Sequence, residues 1–351
     1  MSHPYADQPP KAFWRRSIAE RHPLDVAAWY DPKFPLGEAR IMTAGSCFAQ
    51  HIGRSLKAAG FAWLDREPAP DGLPAARHQE YGYSLYSARY GNIYTARQLL
   101  QLAQRALGRF TPQEQAWERD GGLVDSFRPT LEPEPFGTQA ELDALRQGHL
   151  EAVAALLHEA DVLVFTLGLT EAWLSVADGA VFPLCPGTAG GTFDPARHRF
   201  HNFTTAEVRA DLEAFLALAR AVNPGLRLLL TVSPVPLAAT ATADQVAVAS
   251  SFSKAVLRAV AGEICAADPR VDYFPSYEIV TAPFMRGVFY EPDARAVSPH
   301  GVAHVMKTFF AAHPPPTPVD GTPAPAPDAL SEAERIKCDE ELLATFGPEP
   351  S

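Results

Sequence analysis

The sequence predicts an α/β fold, a three-layer α/β/α sandwich built on a mostly parallel central sheet. Three observations carry this. Segments with strand pattern alternate with segments of helical period along the chain, the order that places helices on both faces of a parallel sheet. The run Asp161–Gly168 is continuously apolar, as strands covered on both faces are. The stretch Arg40–His51 reads as a strand, a tight turn at Gly45-Ser46, and a helix with Phe48, Ile52, Leu56 and Ala59 on one face.

Composition narrows the function. The chain has 351 residues and is 47% hydrophobic, ample for a large core. Its net charge of -11 and the absence of a Lys/Arg run argue against nucleic acid as a partner. The four cysteines, Cys47, Cys185, Cys265 and Cys338, form no CxxC pair, so neither a zinc site nor a disulfide framework is expected. Isolated cysteines suit a reducing compartment. The N-terminus lacks a basic segment followed by an apolar one, and no apolar run reaches the roughly 18 residues of a membrane span. The reading is a cytoplasmic protein without membrane, metal or cofactor, acting on a small molecule or carbohydrate. The sequence does not set the oligomeric state.

In chain order, residues 1–34 form an arm rich in Pro and aromatic residues, expected to pack over the main domain at 35–312. Residues 39–44 are the first strand and 47–60 the first helix; Phe61–Leu64 reads as a short second strand and 68–74 as a loop. Thr95 caps a helix to Leu107. Residues 108–136, with Pro112, Pro129, Pro133 and Pro135, read as an irregular insertion over the sheet edge. Thr138 opens a helix to Ala160, with His149 on its buried stripe as a non-functional helix-face residue. After the strand at 161–168, Asp178-Gly179 joins a hairpin within 172–184. A glycine-rich loop then leads through Arg197–Phe203 to a helix capped at Thr204 or Thr205 and ending near Ala221. Leu226–Val232 is a buried strand, 243–266 a helix, and Val271–Phe274 a short strand. Pro299 suits the first turn of a last helix to Ala312. Residues 313–327 read as a Pro/Ala/Thr linker and Ser331–Phe346 as a short, peripheral charged helix.

In a parallel sheet the loops after successive strands meet at one edge, where ligands of open α/β sheets bind. Those loops hold Ser46, Gly168-Leu-Thr-Glu171, Ser233, Ser276–Glu278 and Ser298-Pro-His300. Ser46, at a strand end and a helix start, is expected to have a free N–H and a helix dipole behind it, both favourable to an oxyanion. Nucleophilic catalysis also needs a base. Cys47 at the same helix start is a weaker nucleophile candidate, its side chain expected to face the core. Five tyrosines within Tyr81–Tyr94 leave two readings open, a packed loop or a pocket wall.

These residues also resemble a family. Gly45-Ser-Cys-Phe-Ala49 is the name-giving motif of the GSCFA domain family, and the resemblance continues through Tyr90–Tyr94, Phe165–Trp173, Thr231–Pro234 and Phe274–Glu278. It covers roughly residues 35–312. That family is similar to divergent SGNH (GDSL-type) hydrolases, which implies an SGNH/flavodoxin-like sandwich and an ester-cleaving serine. By that resemblance Ser46 is the nucleophile, Gly91 or Asn92 an oxyanion donor, and Thr170 stands where the family's Asn donor would be. The usual Asp-x-x-His is absent: the matching block is Arg295-Ala-Val-Ser298. His300, just beyond it, is the candidate base in a shifted dyad with Asp293; His198 and His201 are alternatives. Tyr90, Gly168, Glu171 and Ser233 complete the expected binding set, with Glu171 equally readable as a hydrogen-bonding strut between loops. Two functions follow as expectations. One is a serine-dependent esterase, deacetylase or acyl transferase acting on O-acylated sugars or polysaccharide. The other is a catalytically degenerate module binding a glycan or small molecule.

Overall fold

Period-two alternation along the strands divides the molecule into layers. Ile41, Val162, Val164 and Leu229 join one buried cluster, while Met42, Ala44, Leu163, Phe165, Leu228 and Leu230 join the other. Each side chain fully withdrawn from water in this way contributes about 1.5–3 kcal/mol. The computed structural model describes residues 3–316 and 338–346.

In chain order the elements are β1 (Ile41–Gly45), α1 (Phe48–Ala58), α2 (Ala96–Ala106), β2 (Ala116–Arg119), β3 (Gly122–Asp125), α3 (Gln139–Glu159), β4 (Val162–Leu167), β5 (Glu171–Ser175), β6 (Val181–Phe182) and β7 (His198–Asn202). There follow α4 (Thr205–Val222), β8 (Arg227–Val232), α5 (Val246–Ala267), β9 (Val271–Tyr273), α6 (Ser276–Thr281) and α7 (Pro299–Ala312). The central sheet has the order β1-β4-β8-β9, and every pairing in it is parallel. Helices α2, α3, α4 and α5 cover one face; α1, α6 and α7 cover the other. This is the expected three-layer sandwich. Thr95, Thr138 and Thr204 each close a capping box with Gln98, Glu141 and Glu207 respectively, which fixes where α2, α3 and α4 begin.

Four local expectations change. The insertion at 108–136 contains an antiparallel hairpin, β2 with β3. Phe61–Leu64 contributes only a single parallel bridge, Trp63 to Ile41. Arg197–Phe203 contains β7, which pairs with β5 in a three-stranded antiparallel sheet of order β6-β5-β7. Pro275–Glu278 enters α6 rather than a loop.

The arm packs on the α1/α7 layer through Trp29 and Phe34, and Tyr30 Oη donates a 2.6 Å hydrogen bond to Asp272 on β9. Among the described residues no helix is long and apolar enough to cross a membrane. Most of the expected linker at 313–327, and the first part of the helix expected at Ser331–Phe346, lie outside the described residues. What is described of that helix is a 3-10 turn, Asp339–Phe346. It is not peripheral: Cys338, Asp339 and Glu340 are buried.

Candidate active site

Gly45 shapes the site. Its φ is +136°, and a Cβ there would lie 2.4 Å from the carbonyl oxygen of Thr166. Only glycine lets β1 press that closely on β4 while the chain turns out of the sheet. The next amide, Ser46 N–H, donates to Thr166 O at 3.0 Å. It is therefore not the free oxyanion donor expected from its position. The amides of Cys47 and Phe48 head the helix instead, where N–H groups have no acceptor within the helix.

The Ser46 side chain is buried, and its Oγ has no hydrogen-bond partner. A buried hydroxyl left unpaired costs on the order of 1–3 kcal/mol, so its retention calls for an explanation. Oγ faces a crevice of about 10 Å³ lined by Cys47, Tyr94, Gly168, Ser233, Lys254 and Glu340. That volume is at the lower limit for one water. Gly168, at the end of β4, brings the two loops together: a Cβ on it would lie 3.0 Å from Ser46 Cβ and 3.1 Å from Tyr94 O.

Lys254 is the functional candidate that sequence reasoning missed. It sits on α5, buried, and Nζ donates to the Gly168 carbonyl at 2.6 Å. Burial lowers its pKa to about 8, with the carboxylate of Glu340 opposing the shift. The signal was legible: Ser250, Ser253, Lys254 and Leu257 follow the helical period of the buried stripe of α5, and Lys254 is the one charge on that stripe.

The other expected residues divide. Ser233 lines the crevice beside Ser46, its Oγ accepting from Val235 N–H at 3.3 Å. Asn92 is linked to Ser46 through Tyr86, whose Oη donates to Asn92 Oδ1 at 2.5 Å and lies 3.3 Å from Ser46 O. Gly91 lies with Asn92 along a neighbouring small cavity. Tyr90 is core: its Oη donates to Thr43 O. Of the tyrosine cluster, Tyr86 and Tyr90 are packed and Tyr94 is pocket wall. Thr170 is not available as an oxyanion donor, because its hydroxyl is given to Asn202 Oδ1 at 2.6 Å. Glu171 is a strut, accepting from Thr240 Oγ1 at 2.6 Å and Ala241 N–H at 3.2 Å.

Among the described residues no histidine lines the crevice. His300 is exposed on the first turn of α7, its ring 5.7 Å from that of Phe289. Asp293 accepts from the amides of Arg295 and Ala296 and closes a turn rather than a dyad. His198 is paired with Glu114 at 3.1 Å and His201 with Glu207 at 2.8 Å. His149 is fully buried, 2.6 Å from Glu67. Cys47 is buried, as expected, and also lines the crevice, with the Cys338 thiol as its neighbour. That contact and burial push its pKa well up, away from a reactive thiolate.

The segment Cys338–Phe346 completes the site. Asp339 accepts from Asn92 Nδ2 at 2.7 Å and Thr130 Oγ1 at 2.6 Å. Glu340 pairs with Arg295 at 3.2 Å, and the same guanidinium lies 3.4 Å from Cys338 Sγ. The block lacking Asp and His thus supplies an arginine that holds Glu340, a residue of the crevice wall. Burial raises the Glu340 pKa to about 6, against the pull of Arg295 and Lys254. Beyond Glu340 opens a cleft of about 480 Å³ with Trp173, Phe182, Phe193 and Phe200 in its walls.

A parallel α/β sandwich carrying a buried serine at the strand–turn–helix of its sheet edge defines the class of protein. The chain belongs to the GSCFA family: the family model matches residues 40–309, from β1 into α7. Comparison with curated proteins gives no match.

Proposed function

We propose that this protein is a serine-dependent acyl-ester hydrolase or acyl transferase in which Ser46 is the nucleophile and Lys254 the base. The observation that carries the reading is the unpartnered, buried Ser46 Oγ sharing a crevice with a buried lysine whose pKa is lowered to about 8. Serine–lysine pairs are a known variant of the serine–histidine arrangement. Neutral Lys254 accepts the Ser46 proton as Oγ attacks the ester carbonyl. The tetrahedral oxyanion forms near the amino end of α1. Collapse expels the alcohol, which takes the proton back from Lys254. Water, or an acceptor alcohol in a transferase, then attacks the acyl-serine with the same lysine as base. Aromatic walls in the adjoining cleft suit stacking against a sugar ring, in keeping with an O-acylated sugar or polysaccharide as substrate.

The test is labelling by a fluorophosphonate together with hydrolysis of p-nitrophenyl esters. Ser46 is expected to carry the label, and Ser46→Ala to lose both signals. Full hydrolysis by the alanine variant would sink the proposal. The competing reading is a non-catalytic glycan- or small-molecule-binding module. It is favoured by one observation, the filling of the crevice by Glu340. Absence of label together with saturable binding of an acylated oligosaccharide would select it.

A further inference from the structure

The same nine-residue segment that completes the crevice also blocks it. We propose that Cys338–Phe346 is an internal ligand of this chain, an acidic strap that must leave before any ester reaches Ser46. Glu340 stands at the junction, lining both the crevice and the aromatic cleft. With it in place the crevice has about 10 Å³, no room for an acyl group. On the cleft side Leu343 and Phe346 lie along the walls.

The strap holds by its carboxylates. Asp339 takes the hydrogens of Asn92 and Thr130, and Glu340 meets Arg295. It contributes little apolar burial, since Glu341, Leu342 and Phe346 are exposed. A segment held by a few polar contacts and little buried apolar surface opens at lower free energy than the core. Beneath it, Ser46 Oγ and Tyr94 Oη are both buried and both without a hydrogen-bond partner. The strap therefore covers these hydroxyls without satisfying them, as expected of a surface shaped for another molecule. The vacated space fits a ligand with an anionic group for Arg295 and Asn92 and an apolar or ring portion for the cleft.

The consequence for activity rests on the reading of Ser46 as nucleophile, but the contact itself does not. Two measurements on the full chain separate them. The first is the rate of Cys47 alkylation by iodoacetamide, followed by peptide mass mapping, which reads access to the crevice without relying on Ser46 chemistry. The second is the rate of fluorophosphonate labelling at Ser46. The Asp339→Ala/Glu340→Ala variant is expected to speed both by about tenfold or more, since the reactive fraction grows with the open population. Leu343→Asp/Phe346→Asp, which loosens the strap from the cleft side, is expected to do the same. Unchanged Cys47 alkylation in both variants overturns the strap. Faster alkylation with unchanged labelling of a reactive Ser46 overturns its guarding role. Faster alkylation with Ser46 unlabelled in every form upholds the strap and rejects the serine mechanism.

Discussion

Lys254 Nζ lies 2.6 Å from the carbonyl oxygen of Gly168, the residue whose missing side chain leaves room for Ser46. The contact ties α5 to the end of β4, and β4 is bonded to β1 just below the serine. The proposed nucleophile sits in the tight turn between β1 and α1 and the proposed base on α5, so regular elements flank both, which keeps their geometry set before substrate arrives.

The pH profile follows from that lysine. As the proposed base, Lys254 can accept the serine proton only in its neutral form. With a pKa of about 8, kcat/KM for a p-nitrophenyl ester should climb with pH up to about 8 and level off above it. Lys254→Met keeps most of the buried volume and removes the amine. It should lower kcat/KM by about 10²–10⁴ and abolish the inflection. A methionine variant with the parental profile would exclude Lys254 as base.

Much of this fold could be read from the chain, and the misses have physical reasons. Val162–Leu167 and the three Thr caps are local signals, one of hydrophobicity and one of hydrogen-bond chemistry, and both held. The β2–β3 hairpin carried its own signal, Asp120-Gly121, and both residues adopt positive φ, +48° and +80°. The prolines around it drew attention to irregularity instead. Strand β7 is rich in polar residues because much of it is not buried, so no apolar pattern marks it. The serine and its turn were legible because sequence neighbours make them. Its surroundings come from α5, from Arg295 and from Cys338–Glu340, all distant in the chain, and no periodicity reports such contacts.

Gly168→Ala tests the tightness of the site. The new Cβ would press on Ser46 Cβ at 3.0 Å and on the Tyr94 backbone at 3.1 and 3.2 Å. Backbone cannot yield as a flexible side chain does, so Ser46 is expected to shift. A stability loss of about 1–3 kcal/mol by urea unfolding is expected, with esterase activity falling by more than stability explains. Parental activity in this variant would show that Ser46 needs no such fixed placement.

Acid should destabilise the α3 face through His149. It is buried against Glu67, with Arg128 and Asp125 nearby, and burial lowers its pKa to about 4 from the usual 6.5. The folded state therefore keeps the imidazole neutral, while the unfolded chain protonates it more readily. The resulting stability is present above about pH 6.5 and is lost as pH falls toward 4, on the order of 3 kcal/mol for this group. Urea midpoints measured from pH 7 to pH 4 should fall more steeply in the parental chain than in His149→Gln, which cannot titrate. Equal slopes would assign the acid sensitivity elsewhere.

Cys47 and Cys338 offer a covalent handle on the strap. The neighbouring Cys47 thiol, together with Arg295, lowers the Cys338 pKa despite its burial. When the strap opens, the Cys338 thiolate can attack glutathione disulfide, releasing one glutathione. As the strap reseats, the Cys47 sulfur displaces the second, so two protein thiols and one glutathione disulfide give one protein disulfide and two glutathione molecules. Non-reducing peptide maps should then show the Cys47–Cys338 link, absent in Cys338→Ser. Fluorophosphonate labelling of Ser46 should fall by about tenfold or more, because the open fraction is removed, and return on adding dithiothreitol. A cross-linked chain that labels as fast as the reduced one would mean that ligands reach Ser46 by a route the strap does not cover.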